Sequence, residues 1–178
     1  MKIAYTMAPG RGDMDGLLIQ VANRLMSRGF RPAGTVQINT DRPGGGPCDM
    51  DIKVLPLGPI LRISQHRGAH ARGCRLDPNA LETAVAQVST DIATEELSHV
   101  PDCLIVNKFG KHEAEGRGFR PVIADALMRE IPVLVGVNSL NLEAFQTFSG
   151  GLAVEVPATV ASMLEWFDHS LSCVETTG

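Results

Sequence analysis

The chain has 178 residues, 44% of them apolar and 20% charged, which is enough to bury a core in a single domain over residues 1–178 and argues against a disordered chain. No segment reaches the roughly 18 apolar residues that span a bilayer, so no membrane insertion is expected. The net charge of −4 argues against a general nucleic-acid binder, yet Lys53 to Leu76 has no acidic residue and carries Lys53, Arg62, Arg67, Arg72 and Arg75, the pattern of a local anion site.

Lys2 to Met7 reads as a first strand that ends at Ala8-Pro9-Gly10-Arg11-Gly12. The absence of a cleavage segment after it argues against a secretory leader and for a cytoplasmic protein. Leu17, Leu18, Val21, Ala22 and Leu25 recur at helical spacing, so a helix is expected from about Met14 to Ser27, stopped by Gly29. A second strand is expected at Pro32 to Ile38, then a Gly/Pro-rich loop at Asp41 to Pro47. Asp51 to Pro56 and Ile60 to Gln65 read as an antiparallel hairpin turning at Leu57-Gly58-Pro59. Asp77-Pro78 combines an N-cap acid with proline at the first helical position, and Leu81, Ala84, Val85, Val88 and Ile92 give the following helix one apolar face.

Cys103 to Val106 is a short continuous apolar run of the kind buried on both faces in a parallel sheet. A polar loop, Asn107 to Gly118, leads into a helix over about Phe119 to Arg129. Pro132 to Val137 is a further strand, Leu142 to Phe148 a short helix, and a last helix starts near Pro157. Strands alternating with helices make a mostly parallel sheet covered on both sides, an α/β fold in three layers with an inserted antiparallel hairpin. Ligands in such sheets bind at the carboxyl ends of the strands, which brings loops 8–15, 107–118 and 138–141 to one edge. Cys48, Cys74, Cys103 and Cys173 are widely spaced without a C-x-x-C pair, so reduced thiols are expected rather than zinc or disulfides.

The first loop lies after a strand and before a helix, where a phosphate loop belongs. Its glycines suit an anion, but Asp13 stands where the phosphate-binding lysine is required and Met14 where a Ser/Thr holds Mg²⁺. Asp13 and Asp15 read as helix N-terminal acids complementing the dipole, with a divalent-cation site as the alternative.

Pro9-Gly10-Arg11-Gly12, Arg28-Gly29-Phe30, Asn107-Lys108-Phe109-Gly110-Lys111-His112-Glu113 and Pro132-Val133-Leu134 together resemble the P-loop nucleoside-triphosphatases whose second motif reads D-E-x-G-K-M-E. That resemblance implies a P-loop NTPase-like layout. Cys48-Asp49-Met50-Asp51, Arg62-Ile63-Ser64-Gln65, Ala71-Arg72-Gly73-Cys74-Arg75-Leu76-Asp77 and Glu115-Gly116-Arg117-Gly118-Phe119-Arg120 resemble an uncharacterised bacterial family encoded near molybdate-transport and nitrogenase genes. Asn107 and Lys108 occupy the positions where the NTPases carry Mg²⁺-binding and water-activating acids, so both halves of the hydrolytic apparatus are altered.

The reading that follows is a binding protein for an anionic small ligand, a nucleotide or an oxyanion such as molybdate, with no catalytic residue assigned. Gly10, Arg11, Gly12 and Asp13 of the first loop, Arg62, Arg67, Arg72 and Arg75 of the basic segment, and Lys108, Lys111 and Glu113 of the second motif are its expected ligand-binding residues. Arginine suits tetrahedral anions through bidentate, charge-assisted contacts. Glu113 is also a candidate base or metal ligand. His66 and His70 read as loop histidines, and Arg117 and Arg120 as cover for a helix surface. One alternative is a residual nucleoside triphosphatase in which Lys111 or Arg11 replaces the missing lysine, with Mg²⁺ as cofactor. Another is a non-catalytic subunit that docks on a protein of the molybdenum system. A homo-oligomer through the hairpin edge is a further option.

Overall fold

The computed structural model describes residues 2–10, 12–43, 48–65 and 76–172. Its strands are β1 (Ile3–Thr6), β2 (Pro32–Thr40), β3 (Asp49–Leu55), β4 (Ile60–Arg62), β5 (Cys103–Phe109), β6 (Val133–Val137) and β7 (Val154–Glu155). Its helices are α1 (Asp13–Ser27), α2 (Pro78–Ala93), α3 (Lys111–Ala114), α4 (Arg120–Met128), α5 (Leu142–Phe148) and α6 (Val160–Ser172). The strands form one seven-stranded sheet in the order β4-β3-β2-β5-β6-β1-β7. From β2 to β7 every neighbour is parallel, whereas β3 and β4 fold back antiparallel at the other end. This is the mostly parallel, P-loop NTPase-like α/β layout expected from the sequence, with the hairpin inserted after β2.

Two cores lie on the two faces of the sheet. On one, Leu18, Val21 and Leu25 of α1 and Met163 and Phe167 of α6 pack over Ala4, Ile105 and Leu134. On the other, Leu81, Ala84 and Val88 of α2 and Val122, Ile123 and Ala126 of α4 pack over Ile3, Leu104, Val106 and Val133. Opposite-facing neighbours on one strand thus feed different cores, which is why Cys103 to Val106 is apolar without alternation. Gly34 sits in mid-strand because β2 and β5 approach closely there. Its φ is +109°, and a Cβ would run into the Ile105 carbonyl.

Helix ends follow local chemistry. At the end of α1, Gly29 adopts φ +88°, its N–H donates to the Met26 carbonyl, and the Phe30 N–H donates to Leu25 at 3.1 Å, a Schellman closure. Asp77 caps α2 by accepting the N–H groups of Asn79 at 3.0 Å and Ala80 at 3.3 Å. The last helix starts at Val160 rather than near Pro157, because Thr159 Oγ1 accepts the Ser162 N–H at 3.1 Å and so caps it.

The Asp77 cap has a pH signature. Its carboxyl is held below the ordinary 3.8 chiefly by the Ala80 N–H. A depressed folded-state value contributes stability that is present above the unfolded value and lost as pH falls through the folded one. Asp77→Ala is therefore expected to melt below wild type at neutral pH, with the gap closing below 3.8. Melting curves run from neutral pH into the acid range measure it, and a gap independent of pH would count against the cap.

Three differences from the sequence-based reading concern the site. The strand expected to stop at Val106 continues to Phe109, because Asn107 and Phe109 are both buried and Phe109 pairs with Val137 across a register shift. The expected loop therefore begins at Gly110, and α3 occupies part of it. A two-residue strand, β7, also pairs with β1, a span too short for any alternation to reveal.

Candidate ligand site at the carboxyl edge of the sheet

The centre of this edge is Asp15. It belongs to the first turn of α1, and its side chain turns in under the strand ends, where it is 3% exposed. Its carboxylate accepts from Asn107 Nδ2 at 2.8 Å, Asn39 Nδ2 at 2.5 Å and Gln37 Nε2 at 3.3 Å, and pairs with Lys108 Nζ at 3.4 Å. Gln37 Nε2 also donates to Asn39 Oδ1 at 2.8 Å. A buried carboxylate is tolerable only when donors surround it, and here three amides and an ammonium do so. Asp15 is accordingly more than a helix N-terminal acid: it joins α1, β2 and β5.

Two clefts open on either side of this network and share Gln37 and Lys108. The larger, about 810 Å³, is walled by Gly12, Asp13, Asp15, Asn39, Asp41 and Cys48, with Lys108 at its margin. The smaller, about 340 Å³, has Asn107, Lys108, Lys111, His112 and Arg117 around apolar Ile52, Ile63, Leu76, Leu81 and Phe119.

The larger cleft contains the first loop. Gly12 and Asp13 line it, and the Asp13 carboxylate folds back so closely over Gly10 that a Cβ on that glycine would collide with it. Met14, at the Mg²⁺-hydroxyl position, is buried in the core beneath α1. With Asp13 in place of lysine and Asp15 engaged by side-chain donors, the described residues of the loop present negative charge where a triphosphate would lie. Those described residues do not fit a Mg²⁺–nucleoside triphosphate. Arg11 lies outside the described residues. Among the described residues no three His, Cys, Asp or Glu side chains gather as a metal-ligand set.

The second motif lines the smaller cleft. Lys108, Lys111 and Glu113 all reach it, but Glu113 faces inward at 3% exposure, where it accepts the backbone N–H groups of Gly110 at 2.9 Å and Phe119 at 3.1 Å. It staples the 110–119 turn shut. Lys111 Nζ lies 3.6 Å from Glu115, and Arg117 pairs with the same carboxylate. The Arg117 hydrogen bond, ahead of the charge of Lys111, holds Glu115 below the usual carboxylate range. Arg120 instead lies over the Phe148 ring, 4.9 Å from its centroid, and covers a helix surface.

The basic segment is divided. Arg62 is not in either cleft: it pairs with Asp49 at 2.7 Å and with Asp51 on the exposed face of the hairpin. The acids it needs come from the neighbouring strand, across Asp51↔Arg62 in register, so a run without acids in sequence is not without acids in space. Arg67, Arg72 and Arg75, with His66, His70 and Cys74, lie outside the described residues. Cys103 is a buried thiol pushed well above its usual range by desolvation.

The sequence reading gives no role to Gln37 and Asn39, and it takes Asp15 as a helix N-terminal acid with a divalent-cation site as the alternative. A signal for the first two exists: Thr35, Gln37 and Asn39 alternate as polar residues along a strand otherwise apolar at its start, with Thr35 and Gln37 buried.

A family model described as a protein of unknown function (DUF2478) matches residues 3–166. The chain is also 34% identical over 151 residues to the molybdenum import ATP-binding protein ModC 2 of Bradyrhizobium diazoefficiens, a match covering 85% of this chain but only 16% of that protein. Its fold is similar to the solution structure of a human cancer-related nucleoside triphosphatase, with a TM-score of 0.61, 16% identity and full coverage of both chains. It is similar as well to the crystal structure of THEP1 from the hyperthermophile Aquifex aeolicus, with a TM-score of 0.54, 19% identity and 98% and 99% of the two chains covered. No helix among the described residues is long and apolar enough to cross a membrane. With its sheet order, its altered first loop and a family match along most of its length, the chain belongs to the DUF2478 family, a family of unknown function with a P-loop NTPase-like fold.

Proposed function

We propose that this protein binds an anionic small ligand in the smaller cleft, without turning over Mg²⁺–nucleoside triphosphates, and does so in molybdenum import. The observation that carries the reading is the displacement of positive charge. The first loop offers Asp13 where a lysine is required, whereas Lys108, Lys111 and Arg117 stand around the smaller cleft. Against these three cations are Asp15, which pairs with Lys108, Glu113, enclosed by backbone N–H groups, and Glu115, already shared by the other two. An anion entering the rim replaces Glu115 as partner without exposing a buried charge. Support for the molybdenum context comes from the relative's name, that of a molybdenum import ATP-binding protein of which this chain spans 16%.

Calorimetric titration with nucleotides and with molybdate tests the reading. Lys111→Ala/Arg117→Ala is expected to weaken binding by about ten-fold or more, roughly 1.4 kcal/mol, while the melting temperature stays near wild type because both side chains are more than half exposed. Unchanged affinity would refute it.

A second reading, nucleotide hydrolysis, is supported by the fold shared over the full chain with a human nucleoside triphosphatase. Phosphate release that requires Mg²⁺ and disappears in Lys111→Ala would favour it. Folded protein that releases no phosphate from any nucleoside triphosphate would exclude it.

A further inference from the structure

The smaller cleft carries a demand that a bare oxyanion does not meet. Asn107 is 4% exposed, and Asp15 dictates which way its amide points. A carboxylate oxygen accepts, so the donor Nδ2 must face it, at 2.8 Å. The other amide atom, Oδ1, is then held as a buried acceptor, and no donor among the described residues reaches it. Nδ1 of His112, on the wall of the same cleft, is likewise buried without a partner. Buried polar side-chain atoms are nearly always hydrogen-bonded, so two unmatched atoms on residues that line one cavity point to a molecule that matches them.

The rest of the wall narrows the choice. Ile52, Ile63, Leu81 and Phe119 form an apolar surface, against which a small hydrated oxyanion gains nothing. Molybdate presents only acceptor oxygens at neutral pH and cannot donate to Asn107 Oδ1. A matching ligand needs a flat apolar body, an N–H group on its edge, and an anionic group able to reach Lys111 and Arg117 at the rim. A volume of about 340 Å³ falls at the lower end of the roughly 300–1,000 Å³ typical of small-molecule sites.

We infer that the smaller cleft binds a ligand of the nucleoside monophosphate class, its heterocyclic base lying on the apolar wall with an N–H donated to Asn107 Oδ1 and its phosphate at the rim cations. This rests on the anion-binding reading of the same cleft and adds the base to it. Asp15 acts as a positioning residue, because it is the group that fixes which way the Asn107 amide faces.

The test is titration of the full chain with a panel of nucleoside monophosphates beside ribose 5-phosphate, inorganic phosphate and molybdate. At least one monophosphate is expected to bind about ten-fold or more tightly than ribose 5-phosphate, a difference of roughly 1.4 kcal/mol. Asn107→Ala is expected to collapse that ratio, and Lys111→Ala to weaken the monophosphate and ribose 5-phosphate in proportion. If Asn107→Ala does not fold, an analogue of the preferred monophosphate with its base N–H groups methylated replaces it, with the same loss expected. Ribose 5-phosphate, phosphate or molybdate binding as tightly as every monophosphate would overturn the inference and leave the anion site standing. No binding of any of these anions would remove both.

Discussion

Replacing Asp15 with alanine is expected to lower the free energy of unfolding by about 2–6 kcal/mol, from the loss of this acceptor to two buried amide side chains. The substitution removes little volume. Its cost comes from the donors left behind: Asn107 Nδ2, Asn39 Nδ2 and Gln37 Nε2 all aim at this carboxylate, and Asn107 and Gln37 are themselves 4% and 6% exposed. Each buried donor left without an acceptor costs about 1–3 kcal/mol. Lys108 also loses its ion pair, but its side chain is 46% exposed and solvent compensates it, so that part is small. Asp15→Asn keeps the shape and one acceptor oxygen while turning an amide toward other amides, so an intermediate loss is expected. Urea denaturation of the two variants beside wild type measures both. A loss under about 1 kcal/mol for Asp15→Ala would mean that water re-satisfies the amides.

The second large effect is expected at Phe109. Phe109→Ala should cost about 3–5 kcal/mol, as large aromatic truncations in cores do. The ring is fully buried, packs edge-on to Phe145 at 5.2 Å between centroids and stacks on Phe148 at 5.7 Å, and Tyr5 extends the cluster through Phe145 at 5.5 Å. Ring pairs of this kind add about 0.5–1.5 kcal/mol beyond the area they bury. The same residue ends β5 directly after Asn107 and Lys108, so its loss should loosen both. Phe109→Leu, which keeps apolar volume but not the ring contacts, should recover most of the stability. Chemical denaturation reports the first effect. A fall in ligand affinity at temperatures where the variant is still folded reports the second, and unaltered affinity there would argue that the cleft is held by the Asp15 network alone.

Both predictions fall on residues whose importance is unequally legible. The helix register of α1, the Asp77 cap on α2, the hairpin at β3 and β4 and the apolar run of β5 are local: each follows from spacing or from capping chemistry within a few residues, and each was readable from the chain. So was the loss of the phosphate-loop lysine, because a strand, a glycine-rich turn and a helix in succession define where that lysine belongs. The relocation of positive charge was legible only in part. Arg62 belongs to a run without acids, yet β3 brings Asp49 and Asp51 against it, since strand pairing joins residues eleven and thirteen apart in the chain.

What only the tertiary structure decided is the site itself. Asp15, Asn39 and Asn107 lie on three different elements, and nothing in their separate segments declares that two strand ends and a helix start meet at one buried carboxylate. Glu113 reads as a free acid in a polar loop, but the turn from Gly110 to Phe119 closes around it and leaves it holding backbone N–H groups. In each case the composition of a segment specifies which groups need partners. The parallel sheet, by bringing the ends of β2 and β5 alongside the start of α1, determines which partners they receive and which acceptor is left without a donor among the described residues.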